Sequence, residues 1–429
     1  MTHTAPQPSS EKTEGRHGRP RWSARDRGLQ EHPVRIAILG VGYAGTTAAI
    51  SLSQVPGLHV ELFDAASELR EIGASIGIQP CALRCLEKLG LGQEVDALAY
   101  RHGEYPLLLV KHAEEKAGPV RLLKRVAAVK SSVEGVRVRF EDGTEWSGDM
   151  VIGSDGIRSP TRASFYPDYK IGRGVSVTLR GVFPTSVLED AGIQLPPEPC
   201  HWPGPDRSLF TSPLKPGLFT LVAFVPTRLI PGADIVGWGA ATEVTDLASV
   251  FKGWYPPLAK LCAVAPPLKI YPDWNGPTLP SLTVGGRVAL LGDAGHCHGG
   301  AFAAGGTLAI EDGYTLGLCV DEVAQRAALE GRPMEGNDIA TALSLFDKCR
   351  LRHVNRLVAA AHSLRDRRAQ KDNHVASEAE INAYVTTHAD VAWLADNDAE
   401  AVFDQVVANE LLAKAVDESL GRDTGTAEV

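Results

Sequence analysis

The stretch VRIAILGVGYAG, residues 34–45, decides the fold of this chain. An apolar run that reads as a buried strand leads directly into three glycines, Gly40, Gly42 and Gly45. In a strand–turn–helix unit the first glycine permits the sharp turn and the second lets another molecule approach the main chain. The third lets the helix pack tightly on the strand. We therefore predict a buried strand, a tight turn and a helix over residues 46–53.

An acidic residue follows the next apolar run. Residues 59–63 (HVELF) read as a second strand, and Asp64 stands at its end. An acid at about this distance hydrogen-bonds a ribose hydroxyl, while the helix N-terminus offers N–H groups and a positive dipole end to phosphates. A glycine triplet alone is weak evidence, because the chain has 43 glycines. Strand, helix and acid together predict a nucleotide site.

Two further turns that contain aspartate and glycine follow, each after an apolar run. Residues 150–152 (MVI) lead toward Asp155 and Gly156, and residues 287–291 (RVALL) lead directly into Gly292 and Asp293. Taken singly, the first is also explained as a plain turn and the second as a helix cap. The order of all three motifs along one chain is poorly explained in that way, and it indicates a flavin nucleotide.

Composition limits the class of protein. With 429 residues, 44% hydrophobic and 22% charged, the chain has the make-up of a globular protein of two domains. A net charge of -9 argues against a nucleic-acid partner, and no apolar run is long enough for a transmembrane segment. Seven scattered cysteines predict reduced thiols and a cytoplasmic, intracellular location. Cys81 and Cys85 lack a second pair, so no metal site is expected.

The three motifs in this order resemble those of the FAD-dependent aromatic hydroxylases with the p-hydroxybenzoate hydroxylase fold. The stretch GDAGHCHGGAFAAGG at 292–306 and the segment WLADND at 393–398 are similar to the fungal salicylate-hydroxylase-like monooxygenases. The resemblance extends from residue 34 to about residue 407. It implies an α/β fold in which a Rossmann-type FAD-binding domain is interrupted by a sheet-rich substrate domain, with a helical C-terminus.

Changes in composition along the sequence suggest where those parts begin and end. Residues 1–33 are polar and contain four prolines, which predicts a disordered tail. Residues 34–170 and 285–365 would form the two parts of the FAD-binding domain. Residues 171–284, with short β-like runs between prolines, would form the substrate domain, and residues 366–429 a helical C-terminal tail.

The resemblance also implies roles for individual residues. Asp64 would hold the adenosine ribose, Ser75 would pass near the flavin, and Asp293 would accept hydrogen bonds from the ribityl chain. Asp155 and Gly156 would lie beside the pyrophosphate, and a helix over residues 307–320 would point its N-terminus at the flavin ring. The implied cofactor-binding set is Gly40, Gly42, Gly45, Asp64, Ser75, Asp155, Gly156, Gly292, Asp293, Gly305 and Gly306.

The implied reaction uses FAD, with NADH or NADPH as co-substrate, to hydroxylate a small, salicylate-like aromatic ring with oxygen. Arg180 matches a functional arginine of the fungal subgroup and would suit an anionic substrate, although a solvated arginine at a strand end is an equal alternative. His201 is a second candidate base, unless it is merely packed beside its neighbouring tryptophan. For His296 and His298 we expect a loop-shaping role. The sequence does not indicate the oligomeric state.

Three departures from the family pattern keep other functions open. The region before Asp155 is compressed, and His102, next to Arg101, stands where the family has an FAD-holding arginine. Residues 211–213 (TSP) stand where a tyrosine often precedes proline, and Gly300 stands where the family often has a proline. A flavin-dependent oxidase or epoxidase of secondary metabolism, or a non-catalytic flavoprotein relative, would also carry these motifs. A plain NAD dehydrogenase would not account for the turn at residue 292.

Overall fold

The structure is a computed structural model. It describes residues 33–69, 77–98, 104–204, 206–214, 217–232, 240–241, 247–370 and 392–423. Ser75, Arg101 and His102, and all but the last residue of the expected N-terminal tail, lie outside this part of the chain.

The described strands and helices alternate at first and then separate into a sheet-rich stretch and a helical end. The strands are β1 Val34–Leu39, β2 Leu58–Phe63, β3 Val126–Ser131, β4 Val136–Phe140, β5 Glu145–Gly148, β6 Met150–Gly153, β7 Gly172–Pro184, β8 Cys200–Pro203, β9 Ser208–Leu214, β10 Leu218–Pro226, β11 Ala240–Ala241, β12 Lys269–Asn275, β13 Thr283–Val284 and β14 Val288–Leu290. The helices are α1 Tyr43–Leu52, α2 Pro80–Lys88, α3 Gly92–Leu98, α4 Glu104–Ala117, α5 Pro160–Phe165, α6 Ser186–Asp190, α7 Leu247–Val250, α8 Pro256–Val264, α9 Gly305–Leu329 and α10 Gly336–Gln370, followed by Ala392–Ala395 and Ala399–Asp423.

The first sheet has the strand order β13-β14-β6-β1-β2. Strands β2, β1, β6 and β14 are parallel, and β13 closes one edge in antiparallel orientation. Their apolar residues are almost fully buried, as expected for a parallel sheet covered on both faces. Because the four strands are parallel, their carboxyl ends meet at one edge of the sheet.

The second sheet is antiparallel, in the order β11-β12-β7-β10-β9-β8. Alternate residues of its central strands pack with α6, α7 and α8 into a separate apolar core. Three short strands, β3 to β5, form a small third sheet, and β4 turns into β5 at Asp142 and Gly143.

Helix α9 packs tightly against α1 and alongside α10. A Cβ at Gly313 would lie 2.5 Å from the backbone nitrogen of Ala48, and one at Gly317 would lie 2.4 Å from the Cβ of Ser51. Only residues without a side chain permit this approach. The C-terminal helix Ala399–Asp423 lies over α9 and α10, with Phe403 buried between them.

The expected fold class is confirmed. Strands at 34–63, 150–153 and 283–290 form one sheet, and the chain between 172 and 275 forms the other. The helix predicted over 46–53 begins earlier, at Tyr43, and the one predicted over 307–320 runs from Gly305 to Leu329, because its buried stripe continues through Val323 and Ala327. The exact domain boundaries remain a proposal. All seven cysteines are free thiols. In the described part of the chain, no helix has the length and apolar character to cross a membrane.

Candidate functional site

The three glycine motifs meet at the carboxyl edge of the parallel sheet. Gly40 has a φ of 97°, and a Cβ there would lie 2.4 Å from the carbonyl oxygen of Ser154, one residue before Asp155. A Cβ at Gly292 would lie 3.2 Å from that of Ala44. In open α/β sheets this edge is where ligands bind. The turns that the sequence separates are therefore direct neighbours.

Gly42 and Gly45 differ in what surrounds them. A Cβ at Gly45 would lie 2.0 Å from the carbonyl oxygen of Gly40, so this position serves the packing of α1 on the turn. Around Gly42 no atom lies within 4 Å of the position that a Cβ would take. The open space beside Gly42 is where the sequence predicts a phosphate.

Asp64 holds the first glycine turn against the end of β2. Its Oδ2 accepts a hydrogen bond from the backbone nitrogen of Val41 at 2.9 Å, and its Oδ1 accepts one from Ala66 at 2.8 Å. A carboxylate has about four acceptor positions. Asp64 therefore retains capacity for the ribose hydroxyl that the sequence assigns to it.

The carboxylate of Asp155 is used by its own chain. One oxygen accepts a hydrogen bond from the hydroxyl of Ser159, and the other accepts from the backbone nitrogen and hydroxyl of Thr161 at 2.9 and 2.6 Å. Burial raises the pKa of Asp155. These contacts fit the plain-turn interpretation of the side chain. Gly156, with a φ of 78° and open space beside its Cα, leaves its backbone accessible.

Asp293 combines an exposed surface with protein packed closely around its carboxylate. The residue is exposed, yet so much protein surrounds the carboxylate that desolvation raises its pKa, against the opposing effect of His296 and Arg162. Its carboxylate does not cap the short helix Gly292–Ala294, which has no side-chain cap, so the helix-cap interpretation does not describe it. Because the residue is exposed, its carboxylate remains accessible to a ligand.

Arg162 joins the second and third motifs, and sequence reasoning missed it. Its guanidinium donates to the carbonyl oxygens of Asp293 at 3.1 Å, Ala294 at 2.9 Å and Ile157 at 2.6 Å, and it stacks on the ring of Tyr169. The side chain is almost fully buried. Nothing in the sequence distinguishes this arginine from those on the surface.

The N-terminus of α9 is suited to bind a negatively charged group. Gly305 and Gly306 open the helix, and its first turn has neither a side-chain cap nor an acidic residue. In the loop before it, Phe302 and Ala303 have φ of 58° and 52°, left-handed values that are strained for residues other than glycine. Strain of this kind persists where the surroundings impose it, and it places the free N–H groups of α9 at the site.

A buried charged network supports the turn at residue 292. Asp312 accepts from the backbone nitrogen of Gly292 at 2.9 Å and from Arg350 at 2.8 Å, and it lies 2.6 Å from Nε2 of His296. Arg350 also contacts Glu311 at 3.1 Å. All five residues are nearly inaccessible to solvent. Burial alone would raise the pKa of Asp312, but His296 and Arg350 lower it to about 2.

His298 is buried beside the first turn of α9. Its ring lies 6.3 Å from that of His296, and a Cβ at Gly305 would lie 3.6 Å from its Nε2. Neither ring nitrogen has a hydrogen-bond partner among the described residues. Burial, with a smaller effect of His296, lowers the pKa of His298 to about 3. The ring is therefore neutral at physiological pH.

We expect His298 to make the protein sensitive to mild acid. In the unfolded chain its pKa returns to about 6.5, so the unfolded state takes up a proton as the pH falls below that value and stability is lost down to about pH 3. When the pH is lowered from 7 to 5, the free energy of unfolding of His298→Phe should fall by about 2 kcal/mol less than that of the wild type, as measured by urea unfolding. The exposed His59→Phe is the control. Equal losses in the wild type and His298→Phe would contradict the assignment.

Arg180 lies where the second sheet meets the loop before α9. Its guanidinium comes 3.8 Å from the position of a Cβ at Gly300 and lies 5.4 Å from the ring centre of Tyr271. Its Nε has no hydrogen-bond partner, and no acidic side chain forms a salt bridge with it within the described chain. Burial lowers the pKa of Arg180, although an arginine remains cationic at neutral pH. A half-buried cation without an acidic partner in this part of the chain is a position for an anion.

The other predicted positions are placed as follows. His201 lies on β8, three strands from Arg180 in the same sheet, and is exposed. Ser75 and His102 lie outside the described residues. Among the residues described, no group of histidine, cysteine, aspartate and glutamate side chains could hold a metal ion.

No protein-family model matches the chain. Among curated proteins it is similar to salicylate hydroxylase of Pseudomonas putida, with 29% identity over 433 residues, 87% of this chain and 95% of that protein. It is also similar to FAD-dependent urate hydroxylase of Klebsiella oxytoca, with 28% identity, 79% of this chain and 91% of that protein.

Two solved structures have the same fold. A salicylate hydroxylase substrate complex superposes with a TM-score of 0.72 at 22% identity, covering 88% of this chain and 98% of the other. Klebsiella pneumoniae HpxO, complexed with FAD and uric acid, gives a TM-score of 0.64 at 22% identity, covering 89% and 97%.

Proposed function

This chain is a relative of the FAD-dependent monooxygenases that include salicylate hydroxylase, and on that premise we propose that it hydroxylates a small anionic aromatic compound. FAD is its cofactor, NADH or NADPH its reductant and oxygen its oxidant. The observation that carries this proposal is the pairing of an open nucleotide edge with a half-buried cation, Arg180, that has no acidic partner among the described residues and lies at the loop before α9.

The residues at the sheet edge fit FAD. Gly42 leaves open space for a phosphate, and Asp64 has acceptor positions left for a ribose. Asp293 is exposed, so its carboxylate could accept hydrogen bonds from the ribityl chain. The helices α1 and α9 both begin without an acidic residue or a side-chain cap. Two uncapped N-termini suit a negatively charged dinucleotide.

The protein contributes to the reaction by positioning the cofactor and the substrate and by stabilising the charge that develops on them. When bound, FAD would supply the redox chemistry, namely hydride uptake from the nicotinamide and the activation of oxygen for transfer to the aromatic ring. The N–H groups of Gly305 and Gly306 would stabilise negative charge on the ring system beside them. Asp312 and Arg162 keep the turn at 292–294 in place through the contacts described above.

Arg180 would orient the substrate. A guanidinium matches a carboxylate in two parallel hydrogen bonds and therefore fixes both the position and the direction of an aromatic acid. Its place beside Gly300 would hold the substrate at the loop that precedes α9. A neutral aromatic compound would cover the half-buried guanidinium of Arg180 without supplying a counter-charge, so the geometry favours acids.

Gly42→Ala should weaken FAD binding without harming the fold. Its φ of -73° is open to any residue and a methyl group meets no protein atom within 4 Å. The methyl group would instead overlap the phosphate, and overpacking of about 1–3 kcal/mol corresponds to a Kd for FAD about 5- to 150-fold higher. Fluorescence titration with FAD measures this, and urea unfolding of the FAD-free protein should show no change.

Gly45→Ala is the matched control. Its methyl group would collide with the Gly40 carbonyl oxygen, so this variant should lose stability even without FAD. If Gly42→Ala binds FAD as tightly as the wild type, the phosphate does not lie at Gly42.

The function itself is tested by oxidation of NADH and NADPH in the presence of a panel of aromatic acids, with identification of the product. A hydroxylated product formed together with nicotinamide oxidation supports the proposal. An oxidised or epoxidised product would instead identify an oxidase or epoxidase. Tight FAD binding with no nicotinamide oxidation by any acid would identify a non-catalytic flavoprotein.

A further inference from the structure

The two faces of the six-stranded sheet have different neighbours. Leu179 on β7 and Ala223 on β10 belong to the apolar core shared with α7 and α8. The residues between them point to the opposite face, because successive side chains of a strand alternate. Arg180 lies on that opposite face and approaches Gly300. This face, which we call the loop-side face, is thus turned toward the segment that leads into α9.

A row of cross-strand partners crosses the loop-side face. His201 pairs with Phe210, Phe210 with Val222, and Val222 with Arg180. The ring of His201 also contacts that of Phe224, with centroids 6.3 Å apart, which independently places His201 on this face. Three strand spacings, or about 14 Å between Cα atoms, separate the two ends of the row.

The chemistry of this row changes from one end to the other. Arg180 supplies a cation that has no acidic partner in the described chain. Phe210, half-buried, and Val222, buried, form an apolar middle. His201 ends the row with an exposed ring that both donates and accepts hydrogen bonds. Cation, apolar floor and hydrogen-bonding group follow one another in a line.

We propose that His201 determines substrate specificity by forming a hydrogen bond with the end of the substrate opposite the carboxylate. The substrate class is then an aromatic acid with a second hydrogen-bonding substituent across the ring. Its carboxylate lies on Arg180, its ring over Phe210 and Val222, and its second substituent on the imidazole of His201. This inference rests on the proposed function, since it concerns the same site. A group placed to hydrogen-bond a substituent discriminates against the analogue that lacks it.

The test compares three acids on the FAD-loaded enzyme: salicylate, 4-hydroxysalicylate and 4-methylsalicylate. Dissociation constants come from calorimetry, and KM from nicotinamide oxidation. The wild type should bind the 4-hydroxy acid about tenfold more tightly than the 4-methyl acid, as one hydrogen bond of ordinary strength allows. His201→Phe should abolish this preference, whereas Arg180→Met should weaken binding of all three acids alike.

His59→Phe is the matched control, since His59 is also exposed and lies on β2 of the other sheet. It should bind all three acids as the wild type does. The inference is overturned if the wild type shows no preference, if His201→Phe retains it, or if His201→Phe weakens salicylate as much as the 4-hydroxy acid. If none of the acids binds and Arg180→Met changes nothing, the proposed function fails as well. That result is distinguishable, because a failure of this inference alone leaves the effect of Arg180→Met intact.

Discussion

Arg180→Met should lower kcat/KM for an aromatic acid by about 30- to 1,000-fold, which corresponds to about 2–4 kcal/mol for a charged pair that loses one partner. The loss should appear mainly in KM, since the arginine binds the carboxylate and does not react. Stability should be unchanged or slightly higher, because a guanidinium that has no acidic partner in the described part of the chain is replaced by an apolar side chain of similar length. Steady-state kinetics and urea unfolding measure the two effects separately.

Two comparisons make the Arg180 prediction specific. The exposed Arg139→Met on β4 should behave as the wild type in both measurements. Salicylamide, which has no carboxylate, should bind the wild type and Arg180→Met with similar affinity. If Arg180→Met discriminates between the acid and the amide as strongly as the wild type does, then the carboxylate does not lie on Arg180.

Asp312→Ala should be the most destabilising single substitution at the site. It would leave Arg350, His296 and the backbone nitrogen of Gly292 without their shared acceptor inside the core. Removing one partner of a buried ion pair costs about 3–5 kcal/mol, which is a large share of the stability of a typical domain. Urea unfolding measures the loss, and FAD binding should weaken too, because the turn at Gly292 loses its anchor.

The control for Asp312 is Asp338→Ala. Asp338 also pairs with an arginine, Arg332, but both side chains are partly exposed, and ion pairs in contact with solvent contribute about 0–1 kcal/mol. Acid adds a second test. The pKa of Asp312 is about 2 in the folded protein and near 3.8 when unfolded. The stability that ionised Asp312 contributes to the folded protein is therefore present above about pH 4 and is lost as the pH falls toward 2. Asp312→Asn should lack that acid-dependent loss. Equal, small effects of Asp312→Ala and Asp338→Ala would show that the network does not support the fold.

The backbone of the site could be predicted from the sequence, because its signals are local. A strand followed by glycines at fixed spacing forms one structural unit, and such units at 34–45, 150–156 and 287–293 converge when their strands are parallel. The apolar residues of Val136–Phe140 alternate with arginines, which is the local pattern of a half-buried strand. These features depend on residues close to one another in the chain.

The side-chain contacts that support the site could not be predicted, because their partners are distant in sequence. Asp312 reads as a polar interruption in an apolar helix, and only the fold brings Arg350 and His296 to it. Arg162 is likewise separated by more than a hundred residues from the turn that it holds. Asp155 shows the converse: its motif was recognised, but its carboxylate binds its own turn. Charged residues inside apolar helices are the signal that could have indicated such a network.

The central claim is that the edge where the glycine motifs meet holds FAD. The most direct measurement is the visible absorption spectrum of the protein purified without added cofactor, followed by release and identification of any chromophore. We expect a flavin spectrum and FAD in an amount equimolar with the chain. A colourless protein that also fails to take up added FAD would contradict the account, and the assignment as a flavin enzyme would have to be abandoned.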